Sequence, residues 1–153
     1  MPTAADGSVM GDNCKTYYSA TLGGAGTLTE IPVIIDDTIS SERRTAESNC
    51  RGDAEVKTHV GKPKHSLTGT ILMKRGTPGA TYLTLKTAYM ANTILHFAVA
   101  TGTVTDSAEH VFRMEGRFSK WEESRAENDS VKVSFEIQPD PVSTYASAWA
   151  VTG

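Results

Sequence analysis

The chain has 153 residues, with 15 Lys and Arg against 18 Asp and Glu, and a formal net charge of −3. That length suits one domain, able to bury roughly 70% of the surface its unfolded chain exposes without a disulfide or metal staple. The negative balance argues against a dedicated nucleic-acid binder, and no apolar run approaches the roughly eighteen residues a membrane helix needs.

In chain order, residues 1–13 (MPTAADGSVMGDN) form a small, polar arm that lacks the basic and apolar regions of a secretory signal. A product that remains inside the cell, soluble and off the membrane, is the expectation. Residues 15–22 (KTYYSATL) have strand composition, and GGAG at 23–26 ends the run. Without a following Gly-Lys-Ser/Thr, that glycine cluster is not a phosphate loop. Residues 31–39 (IPVIIDDTI) form a β-branched strand running on toward Thr45, with Pro32 near its start, where a missing donor does least harm.

Residues 46–64 (AESNCRGDAEVKTHVGKPK) are polar and aperiodic, and predict a long connection. The stretch 36–64 carries six acids and six bases, whereas 65–105 carries three bases and no acid. Such a dense, balanced segment is either a surface that meets another of mixed sign or a solvated loop. The Arg-Gly-Asp triplet at 51–53 is short enough to arise by chance. Residues 65–74 alternate Leu67, Gly69, Ile71 and Met73 against Ser66, Thr68, Thr70 and Leu72 as a half-wet strand. Thr77 and Pro78 then supply a cap and a first-turn proline. A helix follows over about 78–91, with Tyr82, Leu85 and Tyr89 on its core face and Leu83 and Met90 on an adjoining stripe.

Residues 93–101 (TILHFAVAT) return to strand with Leu95, Phe97 and Val99 inward. The clearest signal comes next. In 111–121, Phe112, Met114, Gly116 and Phe118 share one parity; in 131–138, Val131, Val133, Phe135 and Ile137 do the same. Joined by the charged stretch EESRAENDS, the two runs predict an antiparallel hairpin with one face dry and one wet. Residues 141–153 form an apolar, weakly periodic tail. Strands, one helix and strands again imply a mainly β fold: an antiparallel sandwich or barrel of two packed sheets with one flanking helix.

A search for chemistry returns little. Cys14 and Cys50 have neither metal spacing nor a CxxC, and are expected as free structural thiols. His59, His65, His96 and His110 stand singly, and His96 is expected as a structural residue rather than a base. Asp36-Asp37 and Glu122-Glu123 are adjacent strand residues that face opposite ways, so neither pair converges on a substrate. No catalytic, cofactor or metal site is expected.

Four stretches in this order resemble the major tail tube proteins of long-tailed bacteriophages: IIDDTISSERRTAES; NCRGDAEVKTHVGKPK; the strand-helix-strand unit HSLTGTILMKRGTPGATYLTLKTAYMANTILHFAVATG; and GRFSKWEESRAENDSVKVSFEIQPDP. The resemblance covers about residues 30–141. It implies a structural virion protein, assembled in the host cytoplasm. Six copies would close a ring by joining their sheets into an inner barrel, and rings would stack into a tube that passes DNA without specific binding. Tape-measure and tail-tip or terminator proteins are the implied partners. The 46–64 segment, through Arg51, Asp53, Glu55, Lys57, Lys62 and Lys64, becomes the implied inter-subunit or inter-ring contact. Six copies at −3 each carry −18, so an acidic lumen would repel phosphate; Glu115, Glu122, Glu123, Glu127 and Glu136 are the candidate lumen acids. The alternatives are a tail terminator or secretion-tube protein of the same fold, or a monomeric β-sandwich binding or decoration protein.

Overall fold

The computed structural model describes residues 14–24, 26–32, 34–52, 54–73, 77–103, 109–127, 130–141 and 143–151; the expected N-terminal arm lies outside them. Eight strands and one helix follow in the order β1 (Lys15–Ser19), β2 (Thr29–Glu30), β3 (Ile34–Ser48), β4 (Lys57–Leu72), α1 (Thr77–Ala91), β5 (Leu95–Ala100), β6 (His110–Ser124), β7 (Lys132–Pro139) and β8 (Ala148–Val151). The fold is mainly β with a single helix among the described residues, as the alternation of apolar residues predicts.

The strands form one antiparallel sheet, β2-β1-β5-β6-β7-β4-β3, with β8 added to β6. β6 is the strand that makes two limbs out of it. Its first half pairs β5 from Val111 to Gly116 and β8 from His110 to Arg113, and its second half, Gly116 to Ser124, pairs β7. The two expected sheets are therefore limbs of one sheet hinged at Gly116. This residue faces Leu95 on one side and Pro139 on the other, and a Cβ there would lie 2.1 Å from the Gln138 carbonyl oxygen. Only a glycine fits.

Both limbs face one core. Phe97, Val99, Phe112 and Met114 from one limb, and Leu67, Ile71, Val133, Phe135 and Ile137 from the other, belong to a single buried cluster with Tyr82, Leu85 and Ala88 of α1. Phe118 ties the limbs together, edge-on to Phe97 at 5.7 Å and to Phe135 at 5.8 Å. The helix buries the face its spacing predicts and leaves Leu83 and Met90 exposed. It ends at Asn92, whose positive φ of 54° lets Thr93 N–H reach Ala88 O at 3.0 Å and Asn92 N–H reach Tyr89 O at 3.1 Å. That closure satisfies carbonyls the last turn leaves open.

Two expectations need correction. The stretch 46–64 is mostly strand: β3 runs to Ser48 and β4 begins at Lys57, so only 49–56 make the turn between them. It escapes sequence periodicity because both faces are wet, and no alternation of apolar and polar residues marks it. The C-terminal tail also contains a strand, β8, too short and too rich in small residues to announce itself; its partner β6 lies far upstream.

Candidate assembly surfaces

β7 pairs β4 only over Leu67 to Leu72. Beyond that point β3 and β4 pair with each other alone, from Ser40↔Ser66 out to Ser48↔Lys57, with a register shift between Arg43 and Thr45. Gly61 and Lys62 lie opposite Arg44 in this bulge, and Arg43 Nη1 donates to Gly61 O at 3.1 Å. Pro63 is tolerated beside the bulge, where β4 has lost its third neighbour. The result is a two-stranded arm exposed almost throughout, including Val56 at 51% and Val60 at 60%. An isolated two-stranded ribbon is marginal in water, and β3 offers a 15-residue edge paired on one side only among the described residues.

The six residues expected as contacts are spread along this arm. Arg51 and Glu55 are exposed at its turn, Lys57 opens β4 opposite Ser48, Lys62 sits in the bulge and Lys64 faces Glu42 across the strands. Asp53 lies outside the described residues. Cys50 is exposed at the same turn, and Cys14 is partly buried; neither forms a disulfide.

The second surface is the side of the β3-β4-β7-β6 limb turned away from the core. Register places Thr38 beside Thr68, and Thr68 beside Glu136; Thr70 pairs Ser134, which pairs Glu122. These residues share the parity opposite to Leu67, Ile71, Phe135 and Ile137, so the face is one of hydroxyls and scattered charge. Lys120 meets Glu122 at 3.1 Å, with both side chains largely exposed. Gln138 donates to Glu136. A shallow cleft of about 320 Å³ follows Asp36, Thr68, Lys120 and Glu136 across the limb.

The five candidate lumen acids divide accordingly. Glu122 and Glu136 lie on this polar face, and Glu127 is exposed in the turn that follows β6. Glu123 points the other way and pins the helix. It accepts Tyr82 Oη–H at 2.5 Å, Lys86 Nζ at 2.8 Å and Trp121 Nε1–H at 3.3 Å, while its second oxygen accepts Arg125 Nη2 at 2.6 Å. The Arg125, Lys86 and Tyr82 donors hold its carboxyl well below the usual carboxylate range. Glu115 is only 5% exposed and is corrected out of the lumen set. Its oxygens accept Gly23 N–H at 2.5 Å and Ser143 Oγ–H at 2.7 Å, with His96 Nδ1 at 3.2 Å.

His96 is fully buried and meets Tyr145 edge-on at 4.9 Å. Arg113 Nη1, a donor only, lies 3.4 Å from Nε2, which assigns the proton to Nδ1 and keeps the ring neutral. Burial lowers the imidazole pKa despite the carboxylate beside it. Burial pushes the Glu115 carboxyl up, but the Ser143 hydroxyl, the Gly23 N–H and His96 outweigh it, and its pKa is lowered. Serine, carboxylate and histidine meet here in the wrong order for nucleophilic catalysis, because the carboxylate stands between the other two. The cluster instead ties the segment before β8 and the loop after β1 to the hinge strand. Among the described residues no group of three or more His, Cys, Asp or Glu could hold a metal ion, and no helix is long and apolar enough to cross a membrane.

No family model matches the sequence, and no curated protein matches it. Solved structures do. The SPP1 tail tube subunit superposes with a TM-score of 0.71 at 16% identity, over 94% of this chain and 79% of that one. The tail of an empty gene transfer agent particle gives 0.66 at 12% identity, over 94% and 98%. The baseplate of the anti-feeding prophage gives 0.64 at 9% identity, over 99% and 98%. The chain has the fold of phage tail tube subunits, which recurs in the gene transfer agent tail and the anti-feeding prophage baseplate.

Proposed function

We propose that this protein is a tail tube subunit: six copies close a ring through their sheet edges, and rings stack into a tube through which DNA leaves the virion. The observation that carries the reading is the β3 edge with its protruding arm, 15 residues of strand whose outer margin has no partner strand among the described residues. A self-sufficient protomer would expose that margin at the risk of aggregation; a closed ring consumes it. The arm, with Arg51, Asp53, Glu55, Lys57, Lys62 and Lys64, is the contact between subunits or rings. The polar limb face, with Glu122 and Glu136, lines the channel, as does Glu127 in the turn after β6. Tape-measure and tail-tip or terminator proteins are the tube's further partners. The role is structural, without catalysis or a cofactor, and the subunit assembles in the host cytoplasm before residing in the virion.

Replacing residues 46–59 by Asn-Gly joins the paired Thr45 and Val60 through a two-residue turn. The shortened protein is expected to keep its β-rich circular dichroism and its melting temperature, yet to form no tubes by negative-stain microscopy where the intact chain does. Unchanged polymerisation would remove the arm from the assembly. Intact protein that stops at single rings would favour a terminator role, and a monomer at every concentration would favour a binding or decoration protein.

A further inference from the structure

Where the arm leaves the body, an open cleft of about 470 Å³ lies between β4, the end of β7 and the segment before β8. Pro63, Pro139, Tyr145 and Ala146 give it apolar walls, and Lys62 and Lys64 stand at its rim. Neither lysine has an ion pair among the described residues. His65 also lines the cleft, and its Nδ1 is buried without a hydrogen-bond partner among the described residues. Behind His65 the wall is firm: its ring lies 5.3 Å from Phe112, which lies 5.2 Å from Trp149.

We propose that this cleft receives the arm's turn from a second copy of the chain. The turn brings what the cleft lacks: an exposed Val56 for the apolar walls and Glu55 for the lysine rim. The arm cannot serve its own cleft. Residues 57–65 rise about 26 Å at roughly 3.3 Å per residue, and the pairs from Arg43↔Pro63 to Ser48↔Lys57 keep the arm extended. Donor turn and receiving cleft are different patches of the same molecule, so every copy offers one of each and the contact propagates from copy to copy. The inference rests on the reading of the arm as a contact between copies and adds the place where it lands.

The test uses the full chain with Cys14→Ser and Ala146→Cys, leaving Cys50 at the turn as the only other thiol. Oxidation of assembled material is expected to give a ladder of covalent oligomers on non-reducing gels, absent when Cys50→Ser is added. A second set is independent of that geometry. Lys62→Glu with Lys64→Glu is expected to raise the concentration needed for assembly about tenfold, and Glu55→Lys in that background to recover most of it, because opposed charges set which surfaces meet. Tubes that form without the ladder, or a charge reversal that Glu55→Lys does not rescue, would overturn the cleft assignment while leaving the tube reading intact. An intact chain that stays monomeric at every concentration would overturn both.

Discussion

Gly116 occupies the point at which β6 exchanges β5 for β7, and the close carbonyl of Gln138 leaves no room for a methyl group. Gly116→Ala is expected to force the hinge apart and destabilise the protomer by about 3 kcal/mol, at the upper end of overpacking costs; urea unfolding measures it. The same strand carries Glu115, whose neighbour His96 makes stability depend on pH. Both groups bind fewer protons folded than unfolded, since both pKa values are lowered in the fold. Stability is therefore complete above the ordinary histidine value of 6.5. It declines as pH falls below that value, where the unfolded chain's histidine takes up a proton, and declines further below 4.5, where the unfolded chain's Glu115 does the same. Melting temperatures between pH 8 and 4 are expected to fall on that course, and His96→Gln to flatten the portion above pH 5. A His96→Gln profile parallel to that of the parent would show that the ring does not titrate with unfolding.

At the scale of elements, legibility in the sequence follows the number of dry faces. α1 and β7 each have one, and β6 keeps its large apolar residues on one parity although Val111 and Glu115 are buried on the other, so Tyr82, Leu85, Phe112, Met114, Phe135 and Ile137 repeat at the helical or strand period and are legible from spacing alone. The arm has none, and its strands carry no period that distinguishes them from a loop. β5 is buried along its whole length, and only its neighbours could say which parity meets the core. The acids were the least legible: Glu115, Glu122 and Glu123 are close in sequence, but one is buried, one is exposed and one holds the helix. Burial depends on what packs above the strand, which spacing does not encode. The stripe Leu83 and Met90, 59% and 74% exposed, lies outside the protomer's core. Leu83→Lys with Met90→Lys is accordingly expected to change unfolding free energy by less than about 0.5 kcal/mol. A larger loss in thermal or urea unfolding would show that the stripe is packed within the protomer.

For the whole molecule, the proposed tube raises the question of which side of the β3-β4-β7-β6 limb would face its channel. One side holds the core and α1, beyond which Leu83 and Met90 are exposed. The other is Thr38, Thr68, Thr70 and Ser134 with Lys120, Glu122 and Glu136 among them. A polymer of phosphates passes most freely over a wetted wall that offers neither apolar anchors nor an excess of positive charge, and only the second side meets that description. Size-selective labelling of assembled tubes separates the two arrangements. With Cys14 and Cys50 replaced by Ser, Ser134→Cys is expected to react with a small maleimide but not with one carrying a long polyethylene glycol chain, whereas Leu83→Cys reacts with both. If Ser134→Cys takes up the large reagent along the tube wall, the hydroxyl face is the exterior, and the channel is lined by something else.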